Sequence, residues 1–178
     1  MANMQQKKHN SRQWLWAGAV GIALAFLLML MLLAPKQQYL ILRNADSGQI
    51  MYHAPLAEGE IFSVSYTHSV NKSNVEEFYL LRGEDIYLTK LVYATFGAGM
   101  TTDAAAESGT VFFYDEQGRM VIEGYDRLIT GMIYHVAATA DHILHIKGGL
   151  IHLTAIAPPT EALRFEIRAY KSWQAWLL

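Results

Sequence analysis

The segment from Phe62 to Arg82 contains the densest group of side chains that could do chemistry. Two alternating runs flank the turn residues Asn71-Lys72-Ser73, which is typical of an antiparallel hairpin. The polar candidates within it are Tyr66, His68, Ser69, Glu76 and Glu77. A turn centred near Lys72 would place His68 opposite Glu76, with their Cβ atoms about 4.5–5.5 Å apart. The pair would then either bind a ligand or a partner, or close the polar end of an apolar face.

The remaining polar residues support neither a hydrolase nor a metal site. Ser69 follows His68 directly, and neighbours in a strand point to opposite faces. The sequence has no G-x-S-x-G nucleophile motif and no cysteine. The spacing of the later histidines also lacks a zinc signature. These histidines are His135, His142, His145 and His152. We therefore expect no enzyme activity, no metal and no cofactor.

The stretch Gly97-Ala98-Gly99 follows a long predicted strand, Ile86–Phe96. Glycine permits positive φ angles and close approach of another backbone. The stretch lacks the length and the lysine of a phosphate-binding loop. It predicts either a tight turn at a corner of the fold or a loop whose residues Gly97, Ala98 and Gly99 contact a ligand or partner.

The elements that must position these residues are predicted to be β-strands. Between residues 39 and 178 the sequence shows short runs rich in Ile, Val, Tyr, Phe and Thr. Turn residues such as Gln117-Gly118 and Lys147-Gly148-Gly149 separate these runs. Many strands at short spacing predict an all-β domain, either an antiparallel sandwich or a barrel-like structure.

An apolar run from Trp14 to Leu33 precedes this domain and contains no charged residue. A helix of about 20 apolar residues spans the hydrocarbon core of a bilayer, which is about 30 Å thick. The sequence therefore predicts a transmembrane anchor at residues 14–33. A cleaved signal peptide is the alternative. It is disfavoured because Leu32 is not the small residue of a cleavage site and Pro35 would follow the cut.

The basic residues near the start of the chain predict the orientation of this anchor. They are Lys7, Lys8 and Arg12. The positive-inside rule then predicts a cytoplasmic tail at residues 1–13 and a β-rich periplasmic domain at residues 39–178, joined to the helix by a tether at residues 34–38. We expect the protein in a bacterial inner membrane.

Two further features bear on partners. The net charge is −2 and no long basic run is present, which argues against nucleic acid as a partner. The tail, Trp173–Leu178, is apolar and aromatic. It either forms the last edge of the core or docks on lipid or on a membrane partner.

Three groups of residues carry a resemblance to a known family. They are Tyr66-Thr67-His68-Ser69-Val70, then Val75-Glu76-Glu77-Phe78 with Phe96-Gly97-Ala98-Gly99, and Ala140-Asp141-His142-Ile143-Leu144. They resemble a small bacterial family that is commonly encoded beside the fused permease and the TAXI-type binding protein of TRAP transporters, the sodium-driven importers of organic acids. The resemblance covers roughly residues 39–170 and adds His142 to the candidate contact residues.

The resemblance implies an accessory single-pass membrane subunit that works by protein–protein contact at the periplasmic face during organic-acid uptake. Its partners would be the permease, with the TAXI-type substrate-binding protein as a further partner, and the lipid bilayer. The anchor would pack on the permease through small residues, unless these are ordinary membrane filler. They are Ala17, Gly18, Gly21 and Ala25.

The alternative is a periplasmic ligand-binding or sensor module for carboxylates. In this interpretation the His68–Glu76 hairpin contacts the ligand. The positive charge that an organic acid requires would come from Arg43, Lys72 or Arg119.

Overall fold

An apolar helix is the first element of the chain. In the computed structural model, which describes residues 2–70, 72–95 and 109–175, α1 spans Ala2–Leu33. Its second half is rich in Ala, Leu and Met, which are good helix formers, and Pro35 follows its end, where it cannot continue a helix. The window Trp16–Leu33 is long and apolar enough to cross a membrane, and it is not buried within the protein. The predicted N-terminal apolar helix is therefore confirmed.

The elements after α1 are mostly strands, and contacts divide the chain into two compact units. One unit contains residues 1–36 with 171–177, and the other, the β domain, contains residues 37–170. The stretch Gly97-Ala98-Gly99 lies outside the described residues. The remaining elements are β1 (Lys36–Asn44), β2 (Ile50–Pro55), β3 (Ile61–Thr67), β4 (Asn74–Arg82), β5 (Asp85–Tyr93), β6 (Val111–Tyr114), β7 (Met120–Leu128), β8 (Ile133–His135), β9 (Ile143–Ile146), β10 (Gly149–His152), a short 3-10 helix (Leu153–Ala155), β11 (Ala162–Lys171) and α2 (Ser172–Ala175).

The strands form two antiparallel sheets that enclose one core. The order in the smaller sheet is β2-β1-β11-β8, and the order in the larger sheet is β10-β9-β3-β4-β5-β7-β6. Leu42 of β1 and Phe165 of β11 are buried in the same hydrophobic cluster as Phe62 and Val64 of β3. The rings of Phe62 and Phe165 stack with their centroids 6.4 Å apart. The predicted antiparallel all-β domain is confirmed, and the two facing sheets make it a sandwich.

The hairpin between β3 and β4 differs from the sequence prediction in its register. Ser65 lies opposite Glu76, and the ladder ends at the pair of Thr67 and Asn74. The predicted pairing of His68 with Glu76 is therefore wrong by three residues. The reason is a wider loop than the assumed tight turn, in which the His68 amide donates a hydrogen bond to the Ser73 carbonyl at 2.8 Å.

The turn between β9 and β10 lies where the turn residues Lys147-Gly148-Gly149 predict it. Lys147 and Gly148 have φ angles of 50° and 75°, as the two central residues of a type I′ hairpin turn require. Glycine adopts this left-handed conformation without a steric cost. The turn fixes Ile146 opposite Gly149 and so places β10 at one edge of the larger sheet.

Candidate functional site

Five side chains converge between the sheets and form what we call the tyrosine–glutamate cluster. Val64 faces the core and lies opposite Glu77, so Glu77 lies on the core-facing side of the larger sheet. Alternation along the two strands adds Tyr66 and Tyr79 to this side. The smaller sheet contributes Tyr134. The members are Tyr66 of β3, Glu77 and Tyr79 of β4, Tyr134 of β8, and His142, which precedes β9.

Glu77 is the common acceptor of the cluster. Its carboxylate accepts hydrogen bonds from the hydroxyls of Tyr66 at 3.2 Å, of Tyr79 at 2.7 Å, and of Tyr134. The hydroxyls of Tyr79 and Tyr134 also lie 2.9 Å apart. Each phenol has one proton to donate, so beside an ionised Glu77 one of these four contacts carries no proton. None of the ion pairs among the described residues involves Glu77, so neutral hydroxyls compensate its charge.

The phenols of the cluster are held in their neutral form. Burial, and after it the charge of Glu77, raises the pKa of Tyr66, Tyr79 and Tyr134 above the ordinary tyrosine value. The three hydroxyls therefore remain proton donors throughout the physiological pH range. Chemically, the cluster can hold the two sheets together and can bind a polar group through hydrogen bonds.

His142 covers the cluster with an uncharged ring. Its ring centroid lies 5.5 Å from that of Tyr66 and 5.4 Å from that of Tyr134. Burial lowers the pKa of His142, against smaller opposing effects of Glu77 and Asp141. Its Nδ1 atom is buried and has no hydrogen-bond partner among the described residues. A proton on this atom would therefore leave a charged, unpaired donor in a poorly solvated position.

Lowering the pH should destabilise the folded protein, because the fold favours the uncharged form of His142. The unfolded chain takes up the proton of His142 near the ordinary pKa of about 6.5, whereas the folded chain takes it up only at lower pH. The stability from the neutral ring is thus present above about pH 6.5 and is lost as the pH falls through the folded pKa. Urea unfolding of the full chain in detergent, near neutral pH and near pH 5, measures this loss. His142→Phe keeps a ring but does not titrate, so its loss should be smaller; equal losses would contradict the assignment.

The other hairpin candidates lie apart from the cluster. His68 and Ser69 belong to the loop between β3 and β4, where His68 Nδ1 accepts a hydrogen bond from the Val70 amide at 3.3 Å. Glu76 lies on the outer face of the larger sheet, where it accepts a hydrogen bond from Ser63 Oγ at 2.6 Å. The structure therefore brings only part of the predicted set together, namely Tyr66, Glu77 and His142.

The later histidines have separate surroundings. His145 Nε2 lies 2.7 Å from Ser65 Oγ, and His152 Nδ1 lies 2.8 Å from the carboxylate of Asp141. Within residues 2–70, 72–95 and 109–175, no three or more His, Asp or Glu side chains form a group that could hold a metal ion. The described part of the chain therefore offers no metal centre.

Two of the three cations that could serve the carboxylate alternative are already engaged within the protein. Arg43 forms an ion pair with Glu166 and also donates a hydrogen bond to the Gly48 carbonyl at 3.1 Å. Arg119 pairs with Asp115 at 2.7 Å. An organic acid at either arginine would have to share the guanidinium group with a carboxylate of the protein itself.

The edge of the larger sheet is a second candidate site. Among the described strands, β6 is last in the order and pairs with β7 only. Its four apolar or aromatic side chains are all exposed, to between 41% and 59%. Proteins usually protect an edge strand with lysine, proline or a bulge, and β6 contains neither of these residues. We call Val111–Tyr114 the aromatic edge.

Sequence reasoning missed Tyr79 and Tyr134 as members of the cluster. Tyr79 lies two residues beyond Glu77, so strand alternation was a signal that could have found it. Tyr134 comes from the other sheet, and no spacing in the sequence indicates that it meets Glu77. The exposure of the aromatic edge also has no sequence signal, because a buried strand would have a similar composition.

Comparison with known proteins identifies one family. Residues 62–153 match the family described as Domain of unknown function (DUF1850). No curated protein and no solved structure matches the chain. The matched range includes every member of the tyrosine–glutamate cluster and the whole aromatic edge.

Proposed function

Since the chain belongs to the DUF1850 family, whose description assigns no function, we propose that it is an accessory subunit of a TAXI-type TRAP transporter. In this proposal it contacts the permease through α1 and the substrate-binding protein through the aromatic edge. The family resemblance given by the motifs around Tyr66–Val70 and Val75–Phe78 suggests the transporter. The observation that carries a contact function is the exposure of the side chains on β6, which among the described strands pairs with β7 only.

The proposed setting is a bacterial inner membrane. Trp16–Leu33 has the length and composition of a membrane span. Lys7, Lys8 and Arg12 precede this span, which favours a cytoplasmic N-terminus and a periplasmic β domain. The large apolar side chains that the structure describes along α1 are exposed, from 38% to 79%, which suits contact with lipid or with another helix.

One face of α1 suits close contact with a permease helix. Ala17, Gly21 and Ala25 follow one another at intervals of four residues and so share a face of the helix. Gly18 borders this face, and a Cβ added at Gly18 or Gly21 would meet no atom within 4 Å. Small residues at this spacing let two helix backbones approach closely in a membrane.

The aromatic edge suits the addition of a strand from another protein. No described strand pairs with the side of β6 that faces away from β7, and an extended segment of another protein can hydrogen-bond to the backbone there. Val111 and Phe113 lie on one side of this strand, and Phe112 and Tyr114 lie on the other, with ring centroids 5.4 Å apart. A periplasmic binding protein could thus gain main-chain hydrogen bonds and apolar contacts together.

Co-purification tests the proposal directly. The full chain, the permease carrying an affinity tag and the binding protein are co-expressed, solubilised in detergent and captured on the tag. We expect the chain to elute with the permease. Gly21→Leu fills the small-residue face and should reduce recovery several-fold. Ala23→Leu makes a similar change on the opposite side of the helix and should not. The proposal fails if wild-type chain is never recovered.

A further inference from the structure

The carboxy-terminal turn contacts the end of α1. Residues 171–177 belong to the same compact unit as α1. Within this unit Trp173 Nε1 donates a hydrogen bond to the Met31 carbonyl at 3.1 Å, and Lys171 Nζ donates one to the Leu32 carbonyl. The described part of the predicted tail therefore contacts α1, while residues 176–178 lie outside the described residues.

The contacted carbonyls are ones that a membrane helix cannot satisfy by itself. Since α1 ends at Leu33, the carbonyls of Met31 and Leu32 have no partner within the helix. An unpaired backbone carbonyl is costly at the border of a bilayer, where water is scarce. An indole N–H and a lysine ammonium supply the missing hydrogen bonds. Tryptophan and lysine are also the side chains that favour the membrane interface.

We propose that Lys171–Ala175 is a second membrane contact, with Trp173 and Lys171 in the phospholipid headgroup layer at the carboxyl end of α1. The partner is the headgroup layer itself, whose phosphates suit the ammonium group and whose ester region suits the indole ring. Trp173 remains 36% exposed within the protein, so it has surface left for lipid. This inference rests on the membrane setting of the proposed function.

Depth-dependent fluorescence quenching tests this placement. A full-length variant that keeps only Trp173, with Trp14, Trp16 and Trp176 changed to phenylalanine, is reconstituted in vesicles of phosphatidylethanolamine and phosphatidylglycerol. The lipids carry bromine either close to the headgroup or near the end of the acyl chain. We expect several-fold stronger quenching by the shallow bromine. Aqueous iodide should quench Trp173 several-fold less than in the urea-unfolded chain.

A second variant that keeps only Trp16 separates failure of this inference from failure of the membrane setting. Trp16 lies within α1 and should be quenched by brominated lipid whenever α1 is inserted. If Trp16 is quenched while Trp173 responds only to iodide, the tail contact is refuted and the proposed function is untouched. Strongest quenching of Trp173 by the deep bromine would also refute a headgroup position. If neither residue responds to brominated lipid, both the inference and the proposed function fail.

Discussion

Replacing Glu77 by leucine is expected to lower the free energy of unfolding by about 3 kcal/mol, because three phenols lose their common acceptor. Tyr79 and Tyr134 can still bond to each other across 2.9 Å, so Tyr66 and one hydroxyl of this pair are left without an acceptor. A hydrogen bond to a charged group contributes about 1.5–3 kcal/mol. Burial of the leucine side chain recovers part of the loss. Urea unfolding of the full chain in detergent measures the change.

Glu76→Leu is the matched control for this substitution. Glu76 is the adjacent residue, it undergoes the same chemical change, and it lies on the outer face of the same strand. It accepts a hydrogen bond from Ser63 at 2.6 Å. We expect a loss of about 1 kcal/mol. Equal losses for the two variants would mean that Glu77 is not the centre of a hydrogen-bond network.

A double-mutant cycle separates the network from simple packing. Tyr134→Phe removes one hydroxyl of the cluster and keeps the ring that packs on Phe165, with centroids 5.4 Å apart. When Glu77→Leu is already present, this hydroxyl has lost its charged acceptor and can bond only to Tyr79, so removing it should cost less than in the wild type. The double variant should therefore lose less stability than the two single variants together. Strictly additive losses would show that the two groups act independently.

The sequence carried enough local information to predict the class of the fold. The uncharged run Trp14–Leu33 indicates a helix by its length and composition, and the alternation in Phe62–Tyr66 indicates a strand with one buried face. The pair Lys147-Gly148 favours a turn that accepts two positive φ angles, and the structure has them at 50° and 75°. Each of these signals depends on neighbouring residues only, which is why it can be read without the structure.

The candidate site could not be predicted in full, because its geometry depends on information that neighbouring residues in the sequence do not contain. The β3–β4 register follows from the width of a loop, and assuming a tight turn moved His68 into the place that Ser65 occupies. Tyr134 reaches Glu77 because β8 lies in the facing sheet. Its position is a consequence of how the two sheets pack, and no short-range spacing records it. Residues on one hairpin could be grouped from sequence, whereas partners from the other sheet could not.

The two candidate sites lie at different places in the larger sheet, and this separation makes them independently testable. The cluster draws on β3 and β4, and its hydroxyl from β8 links the two sheets. The aromatic edge lies beyond β5 and β7 in the strand order. A substitution on β6 therefore leaves every hydrogen bond of the cluster in place. Loss of a partner after such a change can be attributed to the edge itself.

Changing Val111 and Phe113 together to lysine is expected to abolish recovery of the TAXI-type binding protein with this chain. The two side chains lie on one side of β6 and are 57% and 41% exposed, so they can be replaced at little cost in stability. The contact between Phe112 and Tyr114 on the other side is kept. Lysine on an edge strand opposes the addition of another strand, because pairing would bury its charge. We expect at least a tenfold drop in recovered binding protein, equivalent to about 1.4 kcal/mol.

Leu150→Lys is the matched control, because Leu150 is an exposed apolar residue, at 67%, on β10 at the opposite edge of the same sheet. It adds a lysine to an edge strand without touching β6, so recovery of the binding protein should stay at the wild-type level. Unchanged urea midpoints for both variants would establish that the β domain remains folded. If the β6 variant retains the binding protein as well as the control does, the aromatic edge is not the contact surface. The exposed side chains of β6 would then no longer support the transporter proposal, because they are the structural observation on which the contact function depends.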